Sequence, residues 1–170
     1  DAIMIFNPKS FGAKADGSHD DTNAIQQAID KAFFSGGGRI VLKNGVFLSG
    51  TIYLKSNISL EIDASACLLA SPDINSYGSD THHNRYRNEP ELDRCFIFAE
   101  NADNIELCGN GIINGNAEFF PNSNNIYRPM MIRFLNCRNI RLHDLRLYNS
   151  AAWTTAFLDS ERIFISNIDI

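Results

Sequence analysis

No run of about 18 consecutive apolar residues occurs in this 170-residue sequence, so no segment reads as a membrane-spanning helix. Positive charge is also in short supply. The sequence carries 15 Lys and Arg against 20 Asp and Glu, a net charge of −5, which argues against general nucleic-acid or membrane-surface binding. No secretory leader pattern precedes Asp1, as expected of a processed or trimmed protein. Cys67, Cys95, Cys108 and Cys137 show no C-x-x-C spacing and so no metal framework. Each lies in or beside an apolar strand pattern and reads as a small buried hydrophobe, with a Cys95–Cys108 disulfide as the alternative. Gly36-Gly37-Gly38 lacks the lysine and the strand–loop–helix order of a phosphate loop, and no nucleophile motif supports a Ser-His-Asp triad.

A repeat is present, however. Phe134, Ile140, Leu142, Leu145 and Leu147 return as Phe157, Ile163, Ile165, Ile168 and Ile170, each at an offset of 23. A fixed period of this size means stacked units that cannot bury their apolar face alone. Within each copy apolar and polar residues alternate, as in Ile140-Arg141-Leu142, which is the pattern of half-buried strands. Three strands of about five residues with their bends fill such a period, so the reading is an all-β solenoid with parallel rungs. Asn104-Ile105-Glu106-Leu107 precedes Asn139-Ile140-Arg141-Leu142 by 35 residues, one period plus an insertion of 12, placed within residues 114–127. Asn57-Ile58-Ser59-Leu60 lies 47 residues further back, a gap that accommodates either another rung or a long polar loop near residues 72–94. Asn57, Asn104 and Asn139 share one rung position and read as a stacked turn ladder.

Near the start of the chain the period changes. Asp20-Asp21-Thr22 offers an N-cap, and Ala24, Ile25, Ala28, Ile29, Ala32 and Phe33 follow at helical spacing before the glycines. A helix here would cover the exposed end of the first rung. The expected organisation is a single, apparently truncated domain over residues 1–170, with an opening segment and capping helix in 1–38 and rungs in 39–170.

The segment Phe11-Gly12-Ala13-Lys14-Ala15-Asp16-Gly17, with Asp20-Asp21-Thr22, resembles the opening motif of pectin-lyase-like proteins. Gly45-Val46-Phe47-Leu48-Ser49-Gly50-Thr51 and Leu68-Leu69-Ala70-Ser71-Pro72-Asp73 narrow the likeness to the polygalacturonase family, glycoside hydrolase family 28. Gly109-Asn110-Gly111-Ile112-Ile113-Asn114-Gly115, Arg128-Pro129 and Tyr148-Asn149-Ser150-Ala151-Ala152-Trp153 are similar to further motifs of that family, with Ala151 replacing its usual proline. The likeness runs from Phe11 to Ile170 in the family's order. It implies a right-handed parallel β-helix and an inverting hydrolysis of α-linked galacturonic acid, which needs one carboxylic acid and one carboxylate. It also implies no cofactor, an acidic plant cell-wall polysaccharide as partner, and a secreted or periplasmic location.

The family's "N-T-D", "G-D-D", "G-H-G" and "R-I-K" segments do not occur here. No catalytic residue is therefore assigned, and the chain is expected to stop just before the first catalytic turn. Further rungs or another chain would then meet the open end at Ile170. A non-catalytic tailspike- or adhesin-like module and a calcium-dependent pectate lyase are the alternatives.

The loop residues His83, Arg85 and Arg87, with Arg128 and Trp153, are the candidates for contact with a polyuronide, through charge-assisted hydrogen bonds and stacking. The solvated-loop and packing readings stand beside each of them. Asp80, His82 and His83 do not read as a metal site for want of a third distant ligand, and His143 reads as an outward-facing strand histidine.

Overall fold

The computed structural model describes residues 2–81, 93–120 and 128–170. Among these described residues fourteen strands and one α-helix follow in chain order. The strands are β1 (Ile5–Phe6), β2 (Asp16–Asp20), β3 (Gly38–Leu42), β4 (Gly45–Ser49), β5 (Ile52–Tyr53), β6 (Ile58–Ile62), β7 (Ala66–Ala70), β8 (Cys95–Glu100), β9 (Asp103–Cys108), β10 (Ile112–Asn114), β11 (Met130–Leu135), β12 (Arg138–Tyr148), β13 (Thr155–Leu158) and β14 (Glu161–Asp169). The helix α1 (Thr22–Phe34) lies between β2 and β3.

Every strand pairing between these elements is parallel, and the partners are always one rung apart. The first face stacks β1, β3, β6, β9 and the start of β12, and the second stacks β2, β4, β7, β10 and the end of β12. The third face stacks β5, β8, β11 and β13. Asp144, at φ +53°, bends β12 round the corner between the first two faces, and β14 follows it in register. Parallel pairing forces the chain to travel round the coil before it returns, and such crossovers are right-handed. The result is a right-handed parallel β-helix.

Inward columns run along the faces: Ile40, Leu60, Leu107 and Leu142 on the first, and Phe47, Leu68, Ile113 and Leu147 on the second. On the third face Phe134 packs edge-on against Phe157 at 5.7 Å. All of these but Phe157 are buried, each side chain contributing about 1.5–3 kcal/mol relative to exposure. Strand β6 registers directly on β9, so the gap of 47 residues holds one rung and its excursion, not a second rung.

The bends use the left-handed backbone region. Asn57, Asn104 and Asn139 have φ of +64°, +63° and +55°, and Asn104 Nδ2 donates to Asn57 Oδ1 at 3.1 Å. Asparagine tolerates this region better than other side chains, so the ladder is structural. Gly37, at φ +121°, takes the same place one rung earlier, where a Cβ would lie 2.7 Å from the Asn57 carbonyl oxygen.

Ala24, Ile25, Ala28, Ile29 and Ala32 on α1 are buried and join the central core. Phe33 belongs to the helical pattern but is 37% exposed, packing edge-on against Phe34 instead of entering the core. Asp21, expected as a cap, makes no side-chain capping bond. Its carboxylate turns back to accept from the backbone N–H groups of Lys14 at 2.8 Å and Ala15 at 3.0 Å, while Asp20 accepts from Thr22 N at 2.9 Å. The four cysteines are free thiols, three of them buried, so Cys95 and Cys108 do not pair. The loops expected near 72–94 and 114–127 include residues 82–92 and 121–127, which lie outside the described residues.

Candidate functional site

Arg128 and Trp153 lie just before the third-face strands β11 and β13. The sequence separates them by 25 residues, and the β11–β13 register, with its offset of 23, sets Arg128 level with Ala151, two residues before Trp153. Arg128 Nη1 donates to the Ala151 carbonyl at 3.3 Å, which fixes the turn leading to Trp153. The Trp153 backbone is tied down as well, its carbonyl accepting from Met131 N at 3.0 Å. Its indole remains 59% exposed. An exposed, backbone-anchored aromatic can stack on a sugar ring, and a guanidinium can meet a carboxylate.

His83, Arg85 and Arg87 fall outside the described residues. The segment before them is held against the third face. Tyr53 donates from its hydroxyl to Asp80 at 2.6 Å, and burial, reinforced by Asp80, pushes the phenol well above its usual range. Arg133 is buried on the outer side of β11, with Nη2 donating to both the carbonyl and the hydroxyl of Thr81. Burial lowers the Arg133 pKa from its ordinary value.

A second polar constellation covers the outer side of the first face. Register places Arg39, Ser59, Glu106 and Arg141 in one outward column across four rungs. Glu106, only 5% exposed, collects them. Its Oε1 accepts from Arg39 Nη2 at 3.1 Å and Ser59 Oγ at 2.9 Å, and its Oε2 meets His143 Nε2 at 2.8 Å and Arg141 Nη1 at 3.4 Å. Burial pushes the Glu106 pKa up, but the hydrogen bonds from His143 and Ser59 and the two guanidiniums outweigh it and leave it lowered. His143 Nδ1 lies 2.6 Å from Asp144 Oδ2, so the ring bridges two carboxylates; Asp144 first and Glu106 second raise its pKa. Cys108 lies beside them, and Arg39 Nη1 approaches its sulfur at 3.4 Å. Burial, followed by the charge of Glu106, holds that thiol up. Glu106, Cys108 and His143 each direct one donor atom into the same space, all within 4.8 Å of one another.

The sequence model of the rhamnogalacturonase A/epimerase, pectate lyase-like family matches residues 5–151. The chain belongs to this family. Among its relatives, an exo-poly-alpha-D-galacturonosidase from Dickeya chrysanthemi is 36% identical over 121 residues, covering 66% of this chain and 19% of its own length. Polygalacturonase-2 from Solanum lycopersicum is 29% identical over 182 residues, covering 99% of this chain and 36% of its own length. The solved exopolygalacturonase from Thermotoga maritima, described as hyperthermoactive, superposes with a TM-score of 0.83 at 25% identity, over 97% of this chain and 46% of that one. The chain thus spans about a third or less of the length of the two sequence relatives, and about half of the solved one. These likenesses agree with the polygalacturonase resemblance read from the motifs.

For this pectate lyase-like family member, the family motif at Gly109 and Gly111 has a packing reason. Gly109 has φ +122°, and a Cβ on either glycine would run into the Ile62 carbonyl of the rung before. The Glu106 constellation was missed in the sequence reading, which took His143 as a plain outward strand residue; it is only half exposed and bonded on both nitrogens. A signal existed. The same offset of 35 that aligns Asn104 with Asn139 also lays Glu106 on Arg141 and Cys108 on His143. Among the described residues, no helix is long and apolar enough to cross a membrane.

Proposed function

We propose that these 170 residues form a single β-helical domain of a pectin-degrading glycoside hydrolase that cleaves α-linked galacturonic acid with inversion. The observation that carries this reading is membership of the rhamnogalacturonase A/epimerase, pectate lyase-like family over residues 5–151, with relatives named for polygalacturonate hydrolysis. Inversion needs a protonated carboxylic acid on the leaving oxygen and a carboxylate activating water on the opposite face. No motif for that pair occurs in this sequence. The part assigned to this chain is therefore scaffold and substrate contact. Trp153 supplies a stacking face, and Arg128, with His83, Arg85 and Arg87, supplies positive charge to the uronate carboxylates.

The anchoring of Thr81 by Arg133 supports this grouping, because it holds Thr81, two residues before His83 in sequence, against the third face. The partner is an acidic plant cell-wall polysaccharide, and the protein meets it as a secreted or periplasmic enzyme. The test incubates the whole protein with polygalacturonate in two arms, one with added calcium and one with a calcium chelator. New reducing ends without an ultraviolet-absorbing double bond support the reading. An unsaturated product, or dependence on calcium, identifies a lyase instead; no cleavage with retained binding identifies a non-catalytic module.

A further inference from the structure

We propose that Glu106 Oε2, Cys108 Sγ and His143 Nε2 form a binding site for one divalent ion of the zinc class, on the outer side of the first face. The three donors come from adjacent rungs, Glu106 and Cys108 on β9 and His143 on β12, and lie within 4.8 Å of one another. One oxygen, one sulfur and one imidazole nitrogen form a donor set suited to Zn²⁺, with a water in the fourth position. Bond lengths of about 2.0–2.3 Å place tetrahedral donors roughly 3.4–3.7 Å apart, so each atom needs to shift by about 1 Å or less. His143 is the half-exposed member, which leaves the site open from solvent.

The surroundings suit a metal in two further ways. Asp144 Oδ2 holds His143 Nδ1 at 2.6 Å, and Asn167 Nδ2 in turn donates to Asp144 Oδ1 at 2.6 Å. A carboxylate on the far ring nitrogen orients a ligating histidine and leaves Nε2 for the ion. Arg39 and Ser59 hold Glu106 Oε1, which leaves Oε2 to His143 and Arg141.

The charge balance also closes. A ring that bridges two carboxylates carries a proton on each nitrogen, because an ionised carboxylate only accepts. Entry of one Zn²⁺ expels the Nε2 proton and the thiol proton. Two positive charges replace two, and Arg39, Arg141 and Asp144 experience no net change. Two guanidinium nitrogens must give way, Arg141 Nη1 at 3.4 Å from Oε2 and Arg39 Nη1 at 3.4 Å from Cys108 Sγ.

The test strips the purified protein with a chelator and titrates it with Co²⁺ alone, then with Zn²⁺. A 1:1 thiolate-to-cobalt charge-transfer band that Zn²⁺ bleaches is expected, with about two protons released per ion in calorimetry across buffers. Cys108→Ser should weaken Co²⁺ binding at least 100-fold, and Asp144→Asn about 10- to 100-fold. Cys67→Ser, on the second face, should leave it unchanged. His143→Gln gives an independent loss if Cys108→Ser folds poorly. Absence of the band, or a band that survives both Cys108→Ser and His143→Gln, would overturn the site.

Discussion

Arg133 Nη2 and Thr81 Oγ1 lie 2.8 Å apart, joining the outer side of the third face to a segment 52 residues earlier in the chain. The guanidinium is buried, and its donors serve the Thr81 hydroxyl and carbonyl together. Arg133→Met keeps most of the volume but leaves the carbonyl without its charged donor, a loss of about 1–3 kcal/mol. Amide exchange over residues 71–81 should accelerate while the β8–β11 ladder keeps its protection. Uniform acceleration across both would mean that Arg133 serves the coil itself.

The Asp21 carboxylate, 2% exposed, accepts from two backbone N–H groups of the opening turn. Asp21→Ala orphans both donors, and hydrogen bonds to a charged acceptor contribute about 1.5–3 kcal/mol each. Chemical denaturation should therefore show a loss of about 3 kcal/mol or more, with Asp21→Asn losing roughly half as much. Ala15, held at φ +52° by this arrangement, is strained for a residue with a Cβ. Ala15→Gly should recover roughly 1 kcal/mol. No gain would mean that the unfolded-chain entropy of glycine cancels the strain relief.

At the corner between the third and first faces, Asn104 serves twice, through its φ of +63° and its side-chain bond to Asn57. Glycine satisfies the backbone but not the bond; alanine satisfies neither. Denaturation midpoints should therefore fall in the order Asn, Gly, Ala, with Asn104→Ala costing about 1–2 kcal/mol. Equal midpoints for Gly and Ala would mean that the backbone conformation contributes nothing.

The coil was legible in the sequence because stacked strands repeat their inward residues. Ile140 and Ile163 occupy one column for the same reason that they share an offset of 23. The Asn ladder was legible because a left-handed corner selects the same residue in each rung. Arg133 was not. Its alternation within β11 points it outward, towards solvent in an ordinary sheet, and only the excursion reaching Thr81 buries it. Asp21 misled for a related reason: capping is a local rule, and a carboxylate that folds back on Lys14 and Ala15 satisfies tertiary donors instead. Arg128 and Trp153 stand out in the sequence through motifs, but the offset of 23 that sets Arg128 level with Ala151 follows from the β11–β13 register.

Asp16 carries the acid response of the opening segment. Backbone N–H bonds from His19 and then Ser18, followed by the His19 ring, hold its carboxyl far below the usual range. A depressed folded-state pKa contributes stability that is present above the unfolded value, near 3.9, and lost as pH falls through the folded one. The Asp16 carboxyl carbon should therefore stay in its ionised position in NMR spectra down to pH about 3, where an unperturbed Asp is mostly protonated. Asp16→Asn should remove the acid-induced loosening of the 16–19 turn. An Asp16 midpoint near 3.9 would mean that these hydrogen bonds do not form in solution.

Trp153 is the sole tryptophan of these 170 residues, so within them fluorescence reports on its turn alone. Titration with oligogalacturonate should quench or shift that emission if the indole stacks on a sugar ring. Trp153→Ala should weaken binding about tenfold, the equivalent of roughly 1.4 kcal/mol, as expected for loss of an aromatic face. Because the ring is 59% exposed, stability should change by no more than about 0.5 kcal/mol. Trp153→Phe should retain most of the affinity, since it keeps a stacking face. The opposite split, with stability lost and affinity unchanged, would make Trp153 a packing residue and remove it from the substrate contacts.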